Sequence, residues 1–96
     1  MKARLYKITD FGYYTYLIIA LDKRYATDII LAKQCTVNGQ RDSSNLSETV
    51  DLTDNPYFSH NLWNNKECCD LVEKGIKQAI IIDRRDLMPT GFWCSE

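Results

Sequence analysis

The hydrophobic positions near the start of the chain predict two neighbouring strands. Residues 2–9 alternate loosely between apolar and polar types, which predicts a strand with one solvent-exposed face. Residues 13–21 are almost all aromatic, β-branched or aliphatic, a composition typical of a central strand covered on both faces. Asp10, Phe11 and Gly12 lie between the two segments and predict a tight turn. The two strands are therefore predicted to form an antiparallel hairpin.

A first amphipathic helix is predicted over residues 23–34. Asp22 is a good N-cap because its carboxylate can accept hydrogen bonds from the first helical N–H groups. Ala26, Ile29 and Ile30 follow at helical spacing and predict the apolar face. Asn38 and Gly39 either cap the end of this helix or turn a second hairpin, and the pattern leaves both interpretations open.

A second helix is predicted from Asn64 onward, because Asn64 and Glu67 have the spacing of a capping box. Gly75 is a weak position near its end. Residues 79–82 then predict a short buried strand. The apolar face of this helix would comprise Cys68, Leu71, Val72, Ile76 and Ala79.

The remaining segments complete the predicted fold. Residues 40–63 have no strong periodicity, which predicts a long acidic–aromatic loop with a short edge strand at residues 49–53. Residues 86–96 are apolar enough to pack against the domain as a last edge strand. Together the segments predict one α+β domain over residues 1–96: an antiparallel sheet of four to five strands with two helices packed on one face.

Composition and charge narrow the class of protein. Hydrophobic residues make up 45% and charged residues 26%, as in ordinary globular domains. The net charge of -1 gives no reason to expect direct contact with nucleic acid, and the longest apolar run is too short to span a membrane. No apolar stretch of signal-peptide length follows Lys2 and Arg4, so we expect a cytoplasmic location and reduced cysteines.

Few residues are candidates for catalysis or metal binding. The four cysteines and His60 lack the paired spacing of a zinc knuckle, so neither a metal nor another cofactor is predicted. Cys69 with His60 is a minor alternative, as the nucleophile and base of a thiol enzyme. The stronger alternative is a module that binds a small ligand or a nucleotide. The pocket of such a module would be lined by Tyr14, Tyr16 and Trp93.

The segment from residue 42 to residue 63 is the principal candidate site. Its first part contains four carboxylates and no basic residue, and its second part contains several large aromatic side chains. Rigid aromatics anchor protein interfaces, and exposed carboxylates attract a basic partner. The competing interpretation is that the aromatic rings only cover the core. The predicted partner-binding residues are Asp42, Glu48, Asp51, Asp54, Tyr57, Phe58, His60 and Trp63.

Residues 16–33 are predicted to form a strand–helix unit, and this unit resembles one found in small phage and mobile-element accessory proteins, among them several anti-CRISPR proteins. The unit comprises residues 16–20, Asp22 and residues 26–33, under a fifth of the chain. It is a structural pattern, so no partner-binding residue carries over from it. The resemblance implies a small inhibitor of a host defence complex, acting in the host cytoplasm if it is encoded by a phage.

The residues and the resemblance together predict a non-enzymatic binding protein. Its expected partner is a larger host protein or nucleoprotein complex with a basic surface, which the chain would inhibit or modulate through the segment from residue 42 to residue 63.

Overall fold

Four antiparallel strands form the sheet in the part of the chain that the computed structural model describes, residues 2–10, 14–33, 46 and 48–86. In the order β3-β1-β2-β4, they are β3 (Val50–Asp51), β1 (Arg4–Asp10), β2 (Tyr14–Ala20) and β4 (Ala79–Asp86). The predicted α+β class, the antiparallel pairing of the first two strands and the short edge strand near residue 50 are confirmed. The predicted turn at residues 11–12, residues 38–39 and the tail from residue 87 lie outside the described residues.

Strand β2 is central in the sheet and is covered on both faces, as the sequence predicts. It pairs with β1 on one edge and with β4 on the other, and every residue from Tyr16 to Ala20 is buried. Since alternate side chains of a strand point to opposite faces, β2 contributes to two separate hydrophobic clusters. The strand residues buried on the first face are Tyr6, Ile8, Tyr16, Ile18, Ala20 and Ala79. Those buried on the second face are Leu5, Leu17 and Ile19.

Helix α1 (Lys23–Lys33) covers the first face. The predicted N-cap is present, because the Oδ1 atom of Asp22 accepts a hydrogen bond from the backbone N–H of Tyr25 at 3.0 Å. Ala26 and Ile30 of the helix are buried in the first-face cluster. The helix therefore begins where the sequence predicts and presents the predicted apolar side to the sheet.

Two further helices, α2 (His60–Asn64) and α3 (Lys66–Glu73), cover the second face. Val72 of α3 is fully buried in the second-face cluster, and Leu62 of α2 packs against that cluster. The prediction that the helices pack on one face is therefore not confirmed. The physical reason lies in β2, whose apolar side chains on both faces each need a covering layer.

The segment before α3 also differs from its prediction. The sequence pattern predicts a loop up to Trp63 and a capping box from Asn64 to Glu67, but α2 occupies part of that loop. The residue at the N-cap of α3 is Asn65, and its side chain makes no cap hydrogen bond. Its Nδ2 atom donates instead to the carbonyl oxygen of Asn61 at 2.8 Å.

Helix α3 ends at Glu73 and does not continue to residue 79 as predicted, because Gly75 terminates it. Gly75 has φ +77°, the left-handed conformation typical of the residue that follows a helix cap. The N–H of Gly75 donates to the carbonyl oxygen of Val72 at 3.1 Å, and that of Ile76 donates to the carbonyl oxygen of Leu71 at 2.9 Å. These two bonds form a Schellman motif, so Ile76 leaves the helix and is 62% exposed.

One extra residue in β4 shifts its register against β2. Ile81 pairs with Ile18, whereas Asp83 pairs with the next residue of β2, Leu17. Ile82 is therefore the additional residue of a β-bulge.

Beyond the bulge, β4 continues four residues past its predicted end at residue 82. Arg84 lies opposite Tyr16 and Arg85 lies opposite Thr15, so the two arginines point to different faces of the sheet. Arg84 lies on the first face, where its guanidinium carbon is 4.8 Å from the centre of the Tyr14 ring.

Candidate partner-binding surface

The carboxylates predicted to bind a partner are partly neutralised by the chain itself. The Nε atom of Arg4 donates to Oδ2 of Asp51 at 2.5 Å, and Nη2 of Arg4 is 3.7 Å from Oδ2 of Asp54. The view that these carboxylates are uncompensated is therefore wrong for Asp51, because strand pairing brings Arg4 beside it. The side chain of Asp54 is 95% exposed, and Glu48 is also exposed. Asp42 lies outside the described residues.

Asp51 holds the edge of the sheet together. Its Oδ1 atom accepts hydrogen bonds from the backbone N–H of Thr53 at 2.9 Å and from the Thr53 hydroxyl at 2.6 Å. Partial burial opposes ionisation of Asp51, but the hydrogen bonds from Thr53 and Arg4 outweigh it and lower the pKa of this carboxyl below its ordinary value. The same contact raises the pKa of Arg4. We infer that Asp51 has a structural role.

The predicted aromatic residues divide between the core and the surface. Phe58 is half-buried and packs against the second-face cluster together with Leu62, four residues further on. Tyr57 is 80% exposed and Trp63 is 75% exposed, and His60 between them is exposed as well. Phe58 therefore packs at the margin of the core, and the other three residues are exposed at three-residue spacing along the chain, which we group as an aromatic surface. We use that term below for Tyr57, His60 and Trp63.

Asparagine side chains hold the backbone beneath the aromatic surface. The Oδ1 atom of Asn55 accepts the N–H of Tyr57 at 2.9 Å, and its carbonyl oxygen accepts the N–H of Phe58 at 3.0 Å. Asn61 donates from Nδ2 to the carbonyl oxygen of Phe58 at 3.0 Å. Because these bonds fix the turn and α2, a partner would meet Tyr57 and Trp63 on an ordered backbone.

A groove of about 490 Å³ runs beside Trp63. The start of the chain reaches this groove because the backbone N–H of Ala3 donates to Oε2 of Glu73 at 2.7 Å. Sequence reasoning missed the groove, since Lys2 and Lys66 come together only through this tertiary contact. The groove is lined by Lys2, Ala3, Leu62, Trp63, Lys66, Cys69, Asp70 and Glu73.

The surroundings of Cys69 disfavour the thiolate that the thiol nucleophile considered above would need. Its Sγ atom donates to the carbonyl oxygen of Leu62 at 3.7 Å. Burial, followed by the negative charge of Glu73, raises the pKa of the Cys69 thiol. A nucleophilic cysteine needs the opposite shift, because the thiolate is the reactive form. Cys68 and Cys69 both carry free thiols.

The two tyrosines predicted to line a ligand pocket, Tyr14 and Tyr16, pack in or against the first-face cluster. Tyr16 is 5% exposed in the first-face cluster, where burial raises the pKa of its hydroxyl. Tyr14 packs at the margin of the same cluster and contacts the guanidinium of Arg84. Trp93, the third predicted lining residue, lies outside the described residues.

Among the described residues, no group of three or more His, Cys, Asp and Glu side chains is placed to hold a metal ion. In the same part of the chain, none of the helices has the length and apolar character needed to cross a membrane. Comparisons with protein-family models, with curated proteins and with solved structures found no match to this chain.

Proposed function

We propose that this chain is a non-enzymatic binding protein that inhibits or modulates a larger protein or nucleoprotein complex through its aromatic surface. The observation that carries the proposal is the exposure of Tyr57 and Trp63, at 80% and 75%, directly beside residues that fill the core. Large exposed aromatics are the residues that most often anchor protein interfaces.

Tyr57 and its neighbour Phe58 differ in how much side-chain surface a partner could bury. Phe58 is half-buried against the second-face cluster, so it adds less new buried area than Tyr57 when a partner binds. Tyr57 and Trp63 each have most of their surface left to bury, and tyrosine and tryptophan side chains can bury about 150–250 Å². The ordered backbone beneath them lowers the entropic cost of binding.

The charges around this surface are of both signs, because Lys2 and Lys66 line the groove beside Trp63, and the basic rim proposed for the partner is matched by Asp54 and Glu67. Asp54 precedes Tyr57 with a side chain that is 95% exposed, and Glu67 follows Trp63 and is exposed on α3. Such charges chiefly accelerate association and make it sensitive to salt. The resemblance of the strand–helix unit to anti-CRISPR proteins supports a host complex in the cytoplasm as the target.

The test compares alanine variants in capture from a lysate of the source host, followed by affinity measurements on the captured partner. Tyr57→Ala and Trp63→Ala should melt like wild type and should each weaken binding by about 2 kcal/mol or more, roughly 30-fold in Kd. The matched control is Ile76→Ala, which removes an apolar side chain that is 62% exposed elsewhere on the surface.

Two further variants test the separate contributions of Phe58 to stability and of Asp54 to association. Phe58→Ala should lower stability by about 3 kcal/mol, the lower end for a buried phenylalanine, because its ring is only half-buried. Asp54→Lys should slow association and reduce its dependence on salt. If Tyr57→Ala and Trp63→Ala capture and bind the same partners as Ile76→Ala does, the aromatic surface is not the interface.

A further inference from the structure

A pocket on the second face of the sheet has the chemistry of an anion site, and it is separate from the aromatic surface. Helices α2 and α3 cover one half of this face, where Val72 packs with Leu5 and Ile19. Beside that half lies a cavity of about 280 Å³. It is lined by Lys7, Thr9, Thr15, Leu17, Phe58 and Arg85.

Strand register explains why these side chains meet. Thr9 pairs with Thr15 across β1 and β2, and Thr15 pairs with Arg85 across β2 and β4. Lys7 pairs with Leu17 one step along the same face. Two small hydroxyl residues and a leucine therefore form the floor of the cavity, while the cationic side chains come from the strands on either side.

The lining residues include two cationic side chains and no carboxylate, although Asp83 beside the cavity forms an ion pair with Arg85 and partly neutralises it. The hydroxyls of Thr9 and Thr15 share a hydrogen bond at 3.3 Å in which either can be the donor, so a ligand would compete with this bond for one of the two protons. The Nε atom of Arg85 donates to Oδ2 of Asp83 at 3.0 Å, which orients the guanidinium and leaves its terminal amino groups as additional donors. Lysine, arginine and threonine hydroxyls together are the donors that commonly bind phosphate.

The remaining wall of the cavity is apolar. Leu17 is 4% exposed at its floor, and Phe58 reaches it from the turn before α2. A bare inorganic anion would bury none of this apolar surface, whereas a flat organic group could pack against the Phe58 ring. We propose that this pocket binds a small phosphate ester with an aromatic organic part.

Phenyl phosphate is a suitable probe, with the full chain labelled with ¹⁵N for NMR titration. We expect saturable shifts centred on the amides of Lys7, Thr9, Thr15 and Arg85. Methyl phosphate should bind about five- to tenfold more weakly, because it lacks the ring that would contact Phe58. Benzoate, which keeps the ring but has a carboxylate with fewer acceptor oxygens, should also bind more weakly.

Variants test which side chains hold the phosphate. Arg85→Gln and Lys7→Gln should each weaken phenyl phosphate binding about tenfold or more, because each removes charge-assisted hydrogen bonds. The charge-matched controls, Arg24→Gln and Lys77→Gln, remove exposed cations outside the pocket and should leave the affinity unchanged within about twofold. The Arg85 side chain is 70% exposed, so its variant should fold normally even if Lys7→Gln is less stable.

Several results would overturn the assignment. An absence of saturable shifts, or shifts centred away from the four named amides, would remove the site. An unchanged affinity in Arg85→Gln would show that the phosphate lies elsewhere. Equal binding of methyl phosphate would contradict the aromatic part of the ligand, and equal binding of benzoate would contradict the phosphate. None of these outcomes depends on the aromatic surface or on its partner.

Discussion

Replacing Gly75 with alanine should stabilise the protein if α3 continues past this residue, and should destabilise it if α3 ends at Glu73. If α3 continued through Gly75 to residue 79, as the hydrophobic periodicity predicts, alanine would stabilise the helix interior by about 1 kcal/mol. In the structure, however, Gly75 has φ +77° and closes a Schellman motif. A side chain at this conformation is strained, so alanine should destabilise the fold.

The magnitude follows from the surroundings of Gly75. A Cβ atom built on this residue meets no atom within 4 Å beyond Gly75 and its two chain neighbours, so no steric clash with the rest of the described structure adds to the cost. The cost is therefore that of the left-handed backbone alone, about 1–2 kcal/mol for a residue with a Cβ atom. In a domain of this size, 1 kcal/mol corresponds to a fall of about 4–8 °C in melting temperature.

Thermal and urea denaturation of three variants measure this effect. Gly75→Ala should be the least stable, and Gly75→Asn should lose less because asparagine tolerates the left-handed conformation better. Lys74→Ala serves as the control, since Lys74 is exposed with φ -83° and should tolerate alanine with little change. A Gly75→Ala protein that melts above wild type would refute the helix end described here.

Three other predictions concern single side chains. The folded state lowers the pKa of Asp51, so its stabilising effect is present above the unfolded pKa of about 3.9 and is lost as pH falls through the lower folded value. Asp51→Asn should therefore lower the melting temperature at about pH 7, and its difference from wild type should shrink as pH falls below the unfolded pKa of about 3.9. Asp22→Ala should cost about 1 kcal/mol in urea denaturation by removing the N-cap of α1, whereas Asp28→Ala at an exposed position of the same helix should cost little. In a background in which Cys35, Cys68 and Cys94 are replaced by serine, Cys69 should react with iodoacetamide more slowly than an unstructured cysteine, and denaturation should abolish the difference, because burial raises its pKa.

The elements that local pattern determines were predictable. The continuous apolar character of β2 indicates a central strand, and the carboxylate of Asp22 indicates the start of α1. The same character of β2 could also have indicated that the helices lie on two faces, because a strand that is apolar on both sides needs two covering layers. Gly75 followed by Ile76 was the available signal for the end of α3, since a glycine and then an apolar residue are typical of a Schellman motif.

The candidate sites depend more on tertiary contacts and were predicted less completely. Tyr57 and Phe58 are adjacent aromatics that differ in burial, and only the spacing of Phe58 from Leu62 indicates which of the two packs against the core. Asp51 is neutralised by Arg4, 47 residues away in sequence, so no local pattern could show the contact. The second-face pocket requires the register of three strands and a bulge, which hydrophobic periodicity does not determine.

The bulge in β4 also affects how this strand could change length during evolution. Insertion or deletion of one residue in a regular strand moves every later side chain to the opposite face. In β4 the additional residue is already present at Ile82, and Asp83 pairs with Leu17 immediately after the bulge. Deleting Ile82 would remove its contacts with the second-face cluster. The deletion could also restore regular pairing between β2 and β4, with Arg84 and Arg85 still on the faces of the sheet where they now lie. A homologue one residue shorter at this position could therefore retain both the Tyr14–Arg84 contact and the cationic wall of the second-face pocket.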